Sequence, residues 1–444
     1  MPVTALHLQE TLMAKARHST PFLGLLLCLV LVSCGEEPPK PSCVDPLGCV
    51  VIGPGEPIKI GVLQALSGKV APLGQEQLRG LELAVRERDG QVAGHPLSMQ
   101  TEDTGCTGEG GANAALKIVA DPKMVAIFGT TCSGDAATAA KVMSTAGLTM
   151  ISGNNSAPFL TAIGGLRAPN WQAGYFRTAP NEEHAGSAAA TYAYTTLGKR
   201  KAATVNDGDI YTRGLTDGFA RTFTQLGGTV VLDASVAKGD SEMGPLLAAV
   251  ATVQADLLFF PLFQPEANHL LAQARKNKNL HQLTLMSDGA LVESSFLAAV
   301  GELARGMYFV GPSPAVTPRS AQLAKVYLDT FKVAPATSYY QSGYDAVDLL
   351  FTAIEHTVIR RADGSLLVGR EALRRFLYAS TNFAGVTGSL TCDRFGDCAE
   401  PRFDVLRLDD PGAGVAGLQQ NVLFTHAPTR QEAPIPPQTE PGRP

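Results

Sequence analysis

No cysteines spaced CxxC and no two histidines at metal-ligand spacing occur in this chain of 444 residues, which removes the common zinc arrangements. A GxSxG elbow, a P-loop and a GxGxxG fingerprint are missing from any suitable setting. The doubly wound enzymes that rest on a serine nucleophile, a nucleoside triphosphate or a dinucleotide therefore find no foothold. The expectation is a protein with no catalytic activity, no cofactor and no metal. A basic surplus is missing as well: 36 Lys and Arg against 41 Asp and Glu leave a net charge of −5. Mild acidity of that kind favours solubility and gives no sign of a nucleic-acid partner. There are no heptads, no strict residue-level repeat and no internal run long enough to span a bilayer.

What is present begins at the amino terminus. Lys15, Arg17 and His18 precede a mostly apolar run from Pro21 to Ser33, which suits a secretory signal and is too short for a membrane-spanning helix. The long stretch before Lys15 leaves Met1 and Met13 both open as the start. Leu31, Val32, Ser33 and Cys34, followed by the polar "GEEPPKPS", resemble the lipobox of bacterial lipoproteins. That resemblance implies an acylated Cys34 as the mature terminus and a lipid-anchored protein of the cell envelope, periplasmic or otherwise extracytoplasmic. Loss of residues 1–33 removes Lys15, Arg17 and Glu10 and takes the net charge from −5 to −6.

Of eight cysteines, Cys28 leaves with the signal and Cys34 carries lipid. Six in an oxidising compartment suggest three disulfides, and local spacing favours Cys43 with Cys49, Cys106 with Cys132, and Cys392 with Cys398. The stretch "FGTTCSGDAATAA", residues 128–140, sets Cys132 and Ser133 where an apolar run meets a small-residue helical run. An oxidised Cys132 has no thiolate with which to attack a substrate.

Between a Pro-rich tether (34–56) and a tail (426–444), both expected to be disordered, about 370 residues remain, enough for two domains. The runs "IKIGVLQ", "LSMQTED", "MVAIFG" and "LTMISG" each precede a helical period such as "GQEQLRGLELAVRERDG", where Leu78, Leu81, Ala84 and Val85 share a face. The rhythm restarts with "AATVND", "TVVLDASV", "ADLLFFPL", "LTLMSDG" and "GMYFVGP". Two βα series predict an α/β protein with two parallel sheets, each wound with helices on both faces. Ligands bind such sheets beyond the carboxyl ends of the strands. There lie "SGKVAPLG", "TTCSGD", "SGNNSAP", "NDGDIYTRG", "FQPE" and "SDG". Several open helices whose free N–H groups receive anions.

The segments "DTGCTGEGGANAALKIVADPKMVAIFGTTCSGDAATAAKVMSTAGLTMISGNNSAPFLT", "YFRTAPNEEHAGSAAATYAYTTLGKRKAATVNDGDIYTRGLTDGFARTFTQLGGTVV", "FFPLFQPEANHLLAQAR", "MSDGALVESSFL" and "YQSGYDAVDLLFTAIE" resemble, in order and spacing, the type I periplasmic binding proteins of branched-chain amino acid ABC transporters. The resemblance covers roughly residues 57–410. It implies two Rossmann-like lobes joined by a three-stranded hinge, residues 57–178 with 313–375 and residues 179–312 with 376–425, closing on a ligand. It implies that Ser133 and Ser156 grip a ligand carboxylate, that the loop of Asn154 and Asn155 offers backbone groups, that Tyr211 faces the ligand, and that Asp288 takes its ammonium. It also implies the disulfide between Cys106 and Cys132. Phe263 and Gln264 stand where the family has a tyrosine pair, and Leu73 where an aromatic flanks the side-chain pocket.

Each of these residues also has a structural role open to it: Ser133 as a helix N-cap, Asp288 before Gly289 as a turn residue, Tyr211, Phe263 and Gln264 as packing. The chemistry otherwise suits a zwitterion, because each buried charge needs an opposite partner or several hydrogen bonds. The expected function is capture of a small amino acid, branched-chain or related, by a monomer that delivers it to an ABC permease. The alternative is a lipid-anchored sensor or interaction module of the same fold.

Overall fold

The computed structural model of the protein describes residues 42–314 and 316–428; the signal segment 1–33, Cys34 and the tail beyond residue 428 lie outside the described residues. Two sheets organise the chain. The first orders its strands Gln91–Val92, His95–Asp103, Ile58–Gln64, Met124–Gly129, Thr149–Ser152 and Tyr175–Arg177, parallel throughout except for the short Gln91–Val92 edge. The second runs Thr229–Ser235, Lys201–Asn206, Leu257–Phe259, Thr284–Asp288, Tyr308–Pro312, Phe403–Arg407 and Val422–His426. Its pairs are parallel as far as Tyr308–Pro312 and antiparallel thereafter. Met124–Gly129 is buried at every residue, which is why it reads as an unbroken apolar run: helices cover both faces of a parallel sheet.

The antiparallel edge has a geometric cause. Phe403 pairs with Pro312, the last residue of its neighbour. The returning chain therefore enters at the carboxyl end of the parallel strands and runs back down the sheet. Helix Ala71–Glu87 buries Leu81 and Ala84 and packs along helix Tyr339–Thr357, while Leu78 and Val85 are partly buried against the same core. A Cβ on Gly80 would stand 2.3 Å from the Tyr340 carbonyl oxygen, so only glycine lets these helices approach so closely.

Two expected boundaries move. Within the tether expected to be disordered, Cys49–Ile52 is a strand paired antiparallel with Leu366–Gly369. Val50 and Ile52 are buried and Val51 is exposed, the period-two alternation of a half-covered strand. Asp45 fastens this segment by accepting from the Glu371 and Ala372 N–H groups at 3.0 Å each, at the start of helix Arg370–Tyr378. The second boundary is the one at 375/376. Leu377, Val386, Leu390, Cys392 and Cys398 share a core with Ile60 and Phe128 of the first lobe, and the second sheet resumes only at Phe403. The first lobe therefore continues through Cys398.

The lobes are joined by three crossings, between Arg177 and Glu183, between Pro312 and Pro318, and between Cys398 and Phe403. Disulfides link Cys43 to Cys49, Cys106 to Cys132 and Cys392 to Cys398. Among the described residues no helix is long and apolar enough to cross a membrane.

Candidate ligand-binding site

The carboxyl ends of the two sheets meet at the crossings, and loops of both lobes converge there. Ser133 opens helix Ser133–Thr145; it is buried, and its Oγ accepts from the Ala157 N–H at 3.2 Å. Cys132, the residue before it, is held in the disulfide to Cys106, so no thiol is available at this turn. Asp135, in the first turn of the same helix, accepts from the Thr104 and Thr130 hydroxyls at 2.5 Å each. Burial nevertheless pushes its carboxyl up to about 7. A Cβ on Gly134 would stand 2.5 Å from Asp209 Oδ2, so a carboxylate of the second lobe faces the amino end of this helix, where N–H dipoles favour negative charge.

Asn154, Asn155 and Ser156 follow strand Thr149–Ser152. The Ser152 Oγ accepts from the N–H groups of Asn154 and Asn155, both at 3.0 Å, and folds the loop back. The Asn155 side chain is fully engaged in structure. It accepts from Thr130 N and from Tyr175 Oη, each at 3.1 Å, and donates to Thr130 Oγ1 at 3.2 Å and to Cys132 O at 2.8 Å. Asn154 donates to Thr131 O at 3.0 Å. These two side chains lock one cleft loop onto the other.

In the second lobe, Asp209 caps helix Ile210–Gln225 by accepting from Tyr211 N at 3.0 Å. This cap fixes Tyr211, whose ring packs against Phe263 with centroids 5.1 Å apart and whose hydroxyl donates to Asp288 Oδ2. Asp288 ends strand Thr284–Asp288 and is 0 % exposed. Burial pushes its carboxyl up to about 6 against the opposing hydrogen bonds from Tyr211, Ala290 and Ser287. Gln264 donates to Glu293 and, at 3.0 Å, to Ser295 Oγ, and it lines the same small cavity as Phe263. Val70 and Leu73 of the first lobe face Phe263 and Ala290 across a cavity of about 10 Å³. A wider groove of about 720 Å³ beside Gln254, Asp256 and Asn279 lies at the opposite, amino-terminal end of the second sheet.

Three residues outside the expected set belong to this site. Glu182, at the end of the first crossing, is 2 % exposed. Burial, and then the charge of Asp288, push its carboxyl up to about 8, with the Ser156 and Tyr211 hydroxyls and Arg177 acting in the other direction. Tyr339 opens helix Tyr339–Thr357, and its phenol is raised by burial and by the charges of Glu182 and Asp288. Asp209, besides capping its helix, faces Gly134 and accepts from Lys238 Nζ at 2.9 Å. The sequence signal for Glu182 was its place in "PNEEH", directly after strand Tyr175–Arg177 at a crossing. No group of described residues is arranged to hold a metal ion.

Comparison with known proteins follows the same outline. A family model described as periplasmic binding protein matches residues 57–408. A Leu/Ile/Val-binding protein homolog of Brucella melitensis is 27% identical over 364 residues, covering 82% of this chain and 94% of that protein. A leucine-specific-binding protein of Salmonella typhimurium is 26% identical over 302 residues, covering 67% of this chain and 78% of the relative. Among solved structures, a leucine binding protein of Thermotoga maritima superposes with a TM-score of 0.70 at 23% identity, covering 80% of this chain and 96% of that one. A solute binding protein of R. palustris in complex with benzoate gives 0.67 at 24% identity, covering 79% and 93%.

Proposed function

Because this chain belongs to the type I periplasmic binding proteins of the branched-chain amino acid transporter family, which bind solutes and are not enzymes, we propose that its cleft captures a small amino acid, branched-chain or related, for delivery to an ABC permease. The observation that carries the reading is Asp288, a carboxyl with no exposure that accepts from the Tyr211 and Ser287 hydroxyls and the Ala290 N–H. A buried carboxylate without a cation is costly, and a ligand ammonium supplies one. Ser133 and Ser156 and the start of helix Ser133–Thr145, on the facing lobe, would donate to the ligand carboxylate. A ligand touching both lobes favours the closed state by its differential contacts. The R. palustris relative was solved with benzoate, an acid with no amine; such a ligand would leave Asp288 uncompensated here. Cys34 completes the reading as the acylated residue that tethers the protein at the extracytoplasmic face. A thermal-shift screen of the soluble chain against amino acids, their amides and small carboxylates tests it, since a ligand selective for the folded state raises the melting temperature. Amino acids raising it while simple carboxylates do not is the expected result. The reverse ranking would remove Asp288 from its role.

A further inference from the structure

Asp288 is not the only carboxyl in the cleft. Glu182 lies on the crossing from the first lobe, and its neighbours come from five separate segments of the chain. Ser156 and Tyr211 present hydroxyls to it, Asp288 presents a second carboxyl, Arg177 a guanidinium, and Tyr339 a phenol within the same field. The one cation in that set is already committed. Arg177 donates to Asp397 Oδ1 at 2.5 Å, to Thr161 Oγ1 at 2.5 Å and to the Ala157 carbonyl at 2.8 Å. Glu182 Oε2, in a side chain all but removed from solvent, has no hydrogen-bond partner among the described residues. A buried carboxyl oxygen left without a donor is rare in a folded protein and calls for an explanation. Two such carboxyls sharing the surroundings of one tyrosine hydroxyl repel when both ionise.

We propose that Glu182 is a second ligand-contacting residue, and that the cleft receives a cationic nitrogen bearing at least two N–H donors between Glu182 and Asp288. The proposal rests on the amino-acid reading of the cleft and deepens it. Recognition of the amine becomes two-handed: one acceptor lies on the crossing and the other on the second lobe, and Ser156, beside Glu182, joins the ammonium end to the carboxylate end. A primary ammonium fills both acceptors, whereas a simple carboxylate fills neither. In the free protein the carboxyl pair retains a proton near neutral pH, and an arriving cation displaces it.

Calorimetry on the full soluble chain with L-leucine, L-leucinamide and 4-methylpentanoate, at pH 7 in buffers of differing ionisation enthalpy, reads affinity and proton release together. The wild type is expected to bind the two amines with release of a substantial fraction of a proton, and 4-methylpentanoate weakly with none. Glu182→Gln keeps the shape and removes the charge. It should weaken amine binding roughly ten- to hundredfold, the loss of one charge-assisted hydrogen bond, and abolish the proton release while sparing 4-methylpentanoate. Should that variant not fold, Glu182→Asp, which withdraws the carboxyl by one methylene, is expected to lose amine affinity and retain proton release. Wild-type affinity and wild-type proton release in Glu182→Gln would overturn the role of Glu182 and leave Asp288 standing. A wild type that binds 4-methylpentanoate and neither amine would overturn the amino-acid reading together with this one.

Discussion

Replacing Asp288 with asparagine separates the cost of the buried carboxyl from its use. The side chain is wholly buried at a strand end, and burial raises its carboxyl from 3.8 to about 6. At 1.36 kcal/mol per pH unit the rise corresponds to about 3 kcal/mol by which ionisation opposes folding once the pH exceeds 6. Asparagine retains an acceptor for Tyr211 and for the Ala290 N–H, which now meet Asp288 Oδ2, and it carries no charge. The free variant should therefore melt higher than the wild type at pH 8 and at nearly the same temperature at pH 4, where Asp288 is already neutral in the fold. Binding moves the opposite way. An ammonium that loses its buried partner costs about 2–5 kcal/mol, whereas 4-methylpentanoate, which has no amine, should bind Asp288→Asn as well as it binds the wild type. Scanning calorimetry at the two pH values and titration with both ligands measure all four quantities. A variant that melts lower at pH 8, or that loses both ligands equally, would show that Asp288 serves the lobe and not the ligand. Glu266, another buried acid of the second lobe, already accepts from the Gly239 N–H.

Stability of the free protein should fall as the pH rises. Glu182, Asp135, Asp288 and Asp345 are all raised by burial, to about 8, 7, 6 and 6, so the fold binds more protons than the unfolded chain between about 4 and 8. Their contribution is complete below the ordinary carboxylate range and is lost as each folded value is passed; a melting series from pH 4 to 9 that rises instead would refute it. Replacing Cys106 and Cys132 by serine should lower stability by about 3–4 kcal/mol in the chain-entropy model, checked by urea titration. Gly134→Ala, which sets a methyl against Asp209, should weaken closure and ligand affinity, and Asp209→Ala in the same chain should restore part of it; equal affinity in the single variant would dismiss the contact. Cys34→Ala should abolish lipid labelling and release the protein from membranes, and unchanged fractionation would count against the anchor.

Much of this architecture was legible because parallel strands buried on both faces advertise themselves. "IKIGVLQ" and "MVAIFG" coincide with strands Ile58–Gln64 and Met124–Gly129. The loops of Ser133, Tyr211 and Asp288 could be picked out because they follow strand ends, where the winding of such sheets places ligands, and the family resemblance singled out the three residues within them. Glu182 was not, because two adjacent glutamates in a loop ordinarily face solvent, and its burial depends on Tyr211, Asp288 and Tyr339 arriving from distant parts of the chain. The structural role of Asn155 was hidden for the same reason: its partners are Thr130, Cys132 and Tyr175. The 375/376 boundary misled because an amphipathic helix such as Arg370–Tyr378 declares that it has an apolar face, not which sheet will cover it. In Cys49–Ile52 the alternation was present but covered only four residues, beside prolines and glycines that dominate the composition.

The first crossing joins hinge and site in one short segment. At its beginning, Arg177 is pinned inside the first lobe by Asp397, Thr161 and the carbonyls of Asn155 and Ala157, and Thr178 donates to the Ser342 carbonyl at 2.7 Å. At its far end, Glu183 opens helix Glu183–Thr195 and pairs with Arg221 of the second lobe, while also accepting from the Gly164 N–H of the first at 2.8 Å. Between them the crossing is also tied to the first lobe, Asn181 donating to the Ala162 carbonyl at 2.9 Å and the Glu182 N–H to the Ser156 carbonyl at 3.0 Å. Glu182 is the last residue of that span. A buried ion pair such as Arg177 with Asp397 contributes little net stability, yet here its hydrogen bonds are satisfied and it fixes the point from which the crossing bends. In the proposed reading, a ligand cation drawn to Glu182 acts on the crossing itself, while Asp288 draws the same cation toward the second lobe. In that reading binding and closure are coupled because one acceptor lies on the crossing and the other at a strand end of the second lobe.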